Sequence, residues 1–401
     1  MITTDRSPRT TPITTATRAR PVAYRAVAAW LFLMAGLIFL MALIGAITRL
    51  TESGLSIMDW HLLLGSLPPL SAEAWQAKFQ LYQQTGEFAA SPIDMARFKS
   101  IYWWEYIHRL WGRLLGLVYI AGLLLCALRW QVRGWRPWGL LLLGLIFGGA
   151  QGAVGWFMVL SGFDPELLDV SAYRLVMHLG AAFLLYAYII FLALAFWTAA
   201  EPRHASGSAR PARSSSLETR LAALFLLLFC FVTLLSGGFV AGLDAGAMMK
   251  QWPGTGSGAW AADYQWQGLG FWRNAFENPA AAQMHHRLLT QSLAVVCLLW
   301  GLYSALQARP YSALNWLGMA IAGVAVLQTL LGIVTLLSSH SIAPVDIALG
   351  TAHQGGAFLL FGLVCGYCAL AWRAQLALPE AATRPSARGL TTPRLAARVR
   401  Y

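Results

Sequence analysis

Residues 107–116 read IHRLWGRLLG, and residues 285–294 read HHRLLTQSLA. Each opens an apolar stretch with a histidine–arginine pair, His108–Arg109 and His286–Arg287. A second pair of stretches repeats in the same way, HLGAAFLL at 178–185 and HQGGAFLL at 353–360, opened by His178 and His353. Working outward from these four histidines, eight apolar segments are long enough to cross a bilayer, which takes about 20 residues each. They run over 27–48, 104–127, 138–160, 173–197, 219–241, 284–306, 313–336 and 347–371. The chain is 401 residues, 58% hydrophobic and only 11% charged. This is the composition of an all-α polytopic membrane protein rather than a soluble one.

The formal charge of +12 does not describe a nucleic-acid face. Its arginines gather beside the apolar spans. Arg6, Arg9, Arg18, Arg20 and Arg25 stand in the N-terminal tail, and Arg129, Arg133 and Arg136 after the second span. Arg203, Arg210, Arg213 and Arg220 stand in the centre, and the C-terminal tail carries six more from Arg373 to Arg400. The alternate loops are mixed or acidic. By the positive-inside rule both termini are cytoplasmic. The reading places the chain in a bacterial inner membrane, with the mitochondrial inner membrane as the alternative. The five cysteines all lie within apolar runs, so no disulfide is expected, and the Cys365/Cys368 pair reads as two small packed residues.

Two halves follow from the repeat. IGAITRLTESGLSIMDW at 44–60 aligns without a gap to SGGFVAGLDAGAMMKQW at 236–252, pairing Gly45 with Gly237 and Glu52 with Asp244. Gln151 and Gly155 match Gln328 and Gly332. Each half has four spans, so both enter the membrane in the same direction and form two pseudo-symmetric four-helix bundles. The boundaries read as a disordered cytoplasmic tail at 1–26, the first bundle at 27–200, a Ser/Pro/Arg linker at 201–218, the second bundle at 219–372 and a tail at 373–401. In the first outer loop, Trp75, Lys78, Phe79 and Tyr82 fall at helical spacing over 74–84, predicting a short amphipathic helix on the outer surface.

Ionisable residues inside a bilayer are costly and usually functional. Even-numbered spans start at the outer face, so all four histidines lie one or two turns below it. Opposed imidazoles on facing helices are what a six-coordinate haem iron requires, here His108 with His178 and His286 with His353. Gly112, Gly116, Ala181, Ala182, Gly356 and Ala357 lie beside them and give clearance for a flat macrocycle, although ordinary helix packing also uses such residues. Arg109 and Arg287 fit either haem propionates or snorkelling to the headgroups. Arg113 lies a turn deeper. His285, adjacent to His286, is rotated about 100° around the helix and reads as a non-ligand, as do His61, His204 and His340.

Glu105 lies three residues before His108 on the same helix face, and its repeat equivalent is Gln283. One ionisable group therefore separates two otherwise similar sites. A carboxylate there is placed to take a proton from water or to stabilise a developing cation. Pairing with Arg109 or with solvent at the interface is the plainer alternative.

GAITRLTESGLSI at 45–57, EYIHR at 105–109, GGFVAGLDAG at 237–246, HHR at 285–287 and HQGGAFLL at 353–360 resemble the haem A synthase family. The match is to its alphaproteobacterial and mitochondrial branch, without loop cysteine pairs, and covers about residues 27–372. The resemblance implies an oxidoreductase that converts haem O to haem A for terminal cytochrome oxidase. It oxidises a ring methyl to a formyl group by successive hydroxylations and loss of water from a geminal diol, with water as the oxygen source. It implies substrate haem iron between His108 and His178, Glu105 as the catalytic carboxylate, and a haem b cofactor between His286 and His353 as electron relay. Haem O synthase and oxidase assembly factors are the implied partners, with membrane lipid around the chain and no nucleic acid; a homo-oligomer stays open. Two other readings are a dihaem b-type cytochrome exchanging electrons with quinone, and a haem-free transporter with histidines on a proton path.

Overall fold

A computed structural model of the chain describes residues 16–58, 67–163, 169–200, 215–256, 258, 261, 263–307, 312–338 and 345–372. His61, His204, His340 and the tail at 373–401 lie outside the described residues. Among the described residues, eleven α-helices follow in order: α1 (Ala16–Leu50), α2 (Ala72–Tyr82), α3 (Gly86–Ala90), α4 (Met95–Leu128), α5 (Trp135–Leu160), α6 (Ala172–Ala199), α7 (Leu217–Gly242), α8 (Phe271–Glu277), α9 (Pro279–Gln307), α10 (Ala313–Leu337) and α11 (Ile347–Ala371). Among the described residues, eight are long and apolar enough to cross a membrane: α1, α4, α5, α6, α7, α9, α10 and α11. The chain is a multi-pass membrane protein.

Three boundaries differ from the hydropathy reading. α1 begins at Ala16, so part of the stretch read as tail is helical. α4 begins at Met95 and α9 at Pro279, each ahead of its apolar span. The start of α4 is set by Asp94, whose carboxylate caps the Arg97 N–H at 2.8 Å. Arg97, Lys99 and a run of aromatic residues lower the hydropathy of that first stretch without weakening the helix.

Packing closes two rings of four helices. α1 contacts α4 and α6, and α5 contacts α4 and α6. α9 contacts α7 and α10, and α11 contacts α7 and α10. The rings join through α6 with α7, α1 with α11, and α6 with α11. Burial follows this layout: half or more of the apolar windows of α6 and α11 is buried, 50% and 56%, against 11% for α5 and α10. The histidine-bearing helices α6 and α11 are thus central, and α5 and α10 face outward.

The contacts between the rings are reciprocal. Phe183 and Phe358, each five residues after its histidine, stack with centroids 4.0 Å apart. A Cβ on Gly180 would approach Leu235, and one on Gly355 would approach Leu43, which are repeat equivalents. At the C-terminal ends of α1 and α7, Arg49 donates to Ala241 O at 2.9 Å, to Asp244 Oδ1 at 2.9 Å and to Asp169 Oδ2 at 2.8 Å. Glu52 and Asp244 both leave their helices in the left-handed region, at φ 56° and 49°. The five cysteines are buried and free.

The amphipathic helix between α1 and α4 is α2, and it docks against the start of α4. Phe79 and Tyr82 are buried with Phe98, Ile101 and Tyr102 at the start of α4, and with Ile57. Trp75 closes the cluster edge-on to Tyr102 at 4.9 Å. Beside it, Glu87 of α3 is half-buried. Burial raises its carboxyl to about 7, with Asp169 and Glu52 pushing the same way and the Tyr82 hydroxyl opposing. The raised value favours the protonated acid in the folded loop. Its contribution to stability is therefore full below the ordinary value of 4.5 and is lost as pH rises through about 7. Hydrogen exchange across α2 and α3 should accelerate between pH 5 and 8 beyond its intrinsic base catalysis, and Glu87→Gln should remove the excess. Identical profiles for the two proteins would refute this.

Candidate functional site

The four histidines stand on α4, α6, α9 and α11, and each ring faces a glycine on a neighbouring helix. A Cβ on Gly155 of α5 would lie 2.8 Å from His178 Cε1, and one on Gly332 of α10 would lie 2.8 Å from His353 Cε1. A Cβ on Gly237 of α7 would lie 3.0 Å from His286 Cε1. On Gly45 of α1 it would lie 3.2 Å from His108 Nε2. Any larger residue at these positions would have to displace an imidazole. His108 is within electrostatic range of His178, and His286 of His353. All four keep intermediate exposure although they sit inside packed helices, so there is room beside each.

Side chains from the outward helices hold the rings of α6 and α11. Gln151 Nε2 donates to the His178 carbonyl at 3.0 Å and stands 3.2 Å from its Nδ1. Gln328 repeats this at His353, at 2.8 and 3.1 Å. Among the described residues, Oε1 of each glutamine is buried and has no hydrogen-bond partner. The amide atom that meets Nδ1 is in both cases the nitrogen, a donor. Gly356, expected to give clearance for a macrocycle, clears this glutamine instead: a Cβ there would lie 2.0 Å from Gln328 Oε1. Next to Gly112 the nearest atom to an added Cβ is Met41 Cε at 3.6 Å, and beside Gly116 there is none within 4 Å.

On the α4 and α9 side, the chain just after α1 and α7 folds back over the histidines. Glu105 is 2% exposed. Its Oε2 accepts from the Ile57 N–H at 2.7 Å and from Ser56 Oγ at 2.6 Å, and its Oε1 pairs with Arg109. Arg109 also donates to Ile57 O at 2.7 Å. In the second half, Gln283 Oε1 accepts from the Met249 N–H at 2.9 Å, and Arg287 donates to Met249 O at 2.6 Å. Ile57 and Met249 are repeat equivalents, so the same latch is made twice. Ile57 and Met249 act through their backbones; the side chains that differ in its contacts are Glu105 and Ser56, where the second half has Gln283 and Met248. Gln283 turns its amide nitrogen back to the carbonyls of Gly246 and Met249.

Both arginines therefore engage loop carbonyls, and Arg109 also the carboxylate; among the described residues Arg287 Nε is buried with no partner. His285 accepts or donates a hydrogen bond at 2.9 Å with Tyr264 Oη, away from the paired rings. Among the described residues no three His, Cys, Asp or Glu side chains converge. Each site offers two imidazoles, the donor set for a metal whose other ligands come from a macrocycle. The glycine cradles around the rings fit such a group.

The glycines and glutamines around the rings were visible in the repeat as matched letters. What sequence did not show is that each matched Gln-x3-Gly faces a histidine. Ser56, the hydroxyl on Glu105, was missed; the signal was its mismatch with Met248.

The model of the COX15-CtaA family, described as cytochrome oxidase assembly protein, matches residues 28–365. The chain belongs to the COX15-CtaA family. The match spans both rings of helices and all four histidines. Among curated members, Heme A synthase of Rhodospirillum centenum is 43% identical over 366 residues, 90% of each chain. Heme A synthase of Paracoccus denitrificans is 41% identical, covering 84% of this chain and 86% of its own. That of Maricaulis maris is 39% identical, covering 88% and 97%.

Glu105→Leu removes the acceptor from three donors at once. It should cost about 3–5 kcal/mol, the range for breaking a buried ion pair. Glu105→Gln should cost far less, because its amide oxygen can take the Ile57 N–H as Gln283 takes that of Met249. Coincident unfolding midpoints for the two variants in detergent would contradict this account.

Proposed function

We propose that this chain is a haem A synthase that oxidises a ring methyl of haem O to a formyl group, supplying haem A to a terminal cytochrome oxidase. The observation that carries this reading is the pair of similar two-histidine sites of which one alone has a buried carboxylate. The names and full-length similarity of the curated relatives support it. On this reading His108 and His178 ligate the iron of the substrate, and His286 and His353 ligate haem b. When bound, haem b supplies a one-electron relay.

Converting a methyl group to a formyl group with the oxygen of water releases four electrons and four protons. Glu105 is the proton acceptor at the substrate site. Its Oε2 accepts from the Ser56 hydroxyl and the Ile57 N–H, which hold the carboxylate in place. Arg109 fixes the carboxylate and is itself fixed by Ile57 O. Gln283 can make the same backbone contact but cannot take a proton, which supports the relay role for the second half. Arg109 and Arg287, each keeping contact with a loop carbonyl, are the residues nearest to serve porphyrin carboxylates. The arginine-rich termini favour a cytoplasmic location for both ends and an inner-membrane setting.

In cells lacking any other copy, Glu105→Gln should retain bound haem in the purified protein but abolish haem A. Normal haem A in extracted membranes would remove Glu105 from the mechanism. For the second half, His353→Ala should lose about half of the total bound haem, with haem b the species lost. Unchanged haem b content and an unchanged reduced spectrum would refute that ligand assignment. Extraction of haem b alone, at two per chain, from the wild-type protein would favour an electron-transfer cytochrome.

A further inference from the structure

Three of the four rings share a geometry that the fourth lacks. His178, His286 and His353 each have a side chain at Nδ1: Gln151, Ser236 and Gln328, at 3.2, 2.8 and 3.1 Å. The same three turn Cε1 to their glycine. His108 makes no hydrogen bond from either ring nitrogen to the described residues. The atoms it turns to Gly45 are Nε2 and Cδ2, at 3.2 and 3.6 Å from where a Cβ would stand. A half-turn about the Cβ–Cγ bond exchanges Nε2 with Cε1 and Cδ2 with Nδ1. That half-turn converts the pose of His108 into the pose of His286, whose Cε1 and Nδ1 lie 3.0 and 3.5 Å from the equivalent point on Gly237.

The repeat shows what selects the pose. Gly45 aligns with Gly237, so the residue before it, Ile44, occupies the place of Ser236. Ser236 Oγ donates its only hydrogen to Thr233 O at 2.6 Å. Toward His286 it can then act only as an acceptor, so Nδ1 carries the ring proton and Nε2 keeps its lone pair. An imidazole held this way is oriented, fixed in tautomer and made a stronger metal ligand. Ile44 has no group that can do any of this for His108. Its two ring poses are distinguished by no hydrogen bond.

We propose that Ser236 locks His286 as a permanent iron ligand, and that Ile44 leaves His108 unlocked as the exchangeable ligand of the chain. The inference rests on the haem-ligation reading above and deepens it. A synthase must exchange one porphyrin at every turnover, releasing product and admitting substrate, while its relay porphyrin stays. The lock is present at the site that must hold and missing at the site that must let go. Ser236 is a positioning residue, acting on the iron only through His286.

The test is release of haem b, used as the probe, from the purified full-length chain into excess apomyoglobin. The wild-type protein should retain one slowly released haem, and any haem at the N-terminal site should leave faster. Ser236→Ala should speed the slow release by about tenfold or more, the range found when a ligand histidine loses its hydrogen-bond partner. Ser236→Thr, which keeps a hydroxyl, should stay near the wild type. Ile44→Ser should act in the opposite direction, converting N-terminal haem into a slowly released fraction. An unchanged slow phase in Ser236→Ala, or no slowly released N-terminal haem in Ile44→Ser, would overturn the proposal. His353→Ala separates the two levels of argument. If it leaves haem content unchanged, the ligation reading has failed. If it lowers content while the Ser236 and Ile44 variants release haem as the wild type does, only the lock has failed.

Discussion

The close approach of a bare backbone to each imidazole sets the terms for everything around it. A histidine inside a packed membrane helix bundle needs space for its ring, a partner for its nitrogens and a neighbour that does not push it aside. Gly45, Gly155, Gly237 and Gly332 meet the first and last needs, since a single methyl at any of them would come within 3.2 Å of the ring. That proximity draws α1 onto α4 and α7 onto α9, and fixes α5 against α6 and α10 against α11. The order of helices around each ring is the order in which glycines meet histidines.

A second layer of contacts ties the segments after α1 and α7 to the same helices. The peptide groups of Ile57 and Met249 each give an N–H to the residue three before a histidine and take an arginine N–H from the residue after it. A loop so held cannot drift from the helix it covers. Against this shared framework the substitutions stand out: Glu105 for Gln283, Ser56 for Met248, Ile44 for Ser236. All three lie within the latch or beside an imidazole. The two sites are built alike in shape and differ in proton chemistry and in how firmly a ring is held.

Much of this was legible in sequence because its signals are chemical rather than geometric. Histidines in apolar segments, a carboxylate opposite a carboxamide and an ungapped repeat survive translation into letters. The start of α4 was not legible, because Arg97, Lys99 and the aromatic run hide a continuous helix from a hydropathy window. Nor was the use of Gly356, since small residues beside a histidine look the same whether they clear a macrocycle or a glutamine. Arg109 and Arg287 looked free to meet external anions, yet each first satisfies a carbonyl more than thirty residues away in sequence. The docking of α2 was half legible: its apolar face was plain, but not that Phe98 and Tyr102 would receive it.

The reciprocal contacts between the rings bear on how the two halves fit together. α6 of the first half buries itself against α7 and α11, and α11 returns the contact to α1. Phe183 meets Phe358, and Arg49 reaches across to the carbonyl of Ala241, which holds its own place in the other repeat. A single half would leave its most buried helix without a neighbour, and the surface it exposed would fit another copy of itself. The two halves thus meet much as two copies of one unit would meet in a symmetric pair.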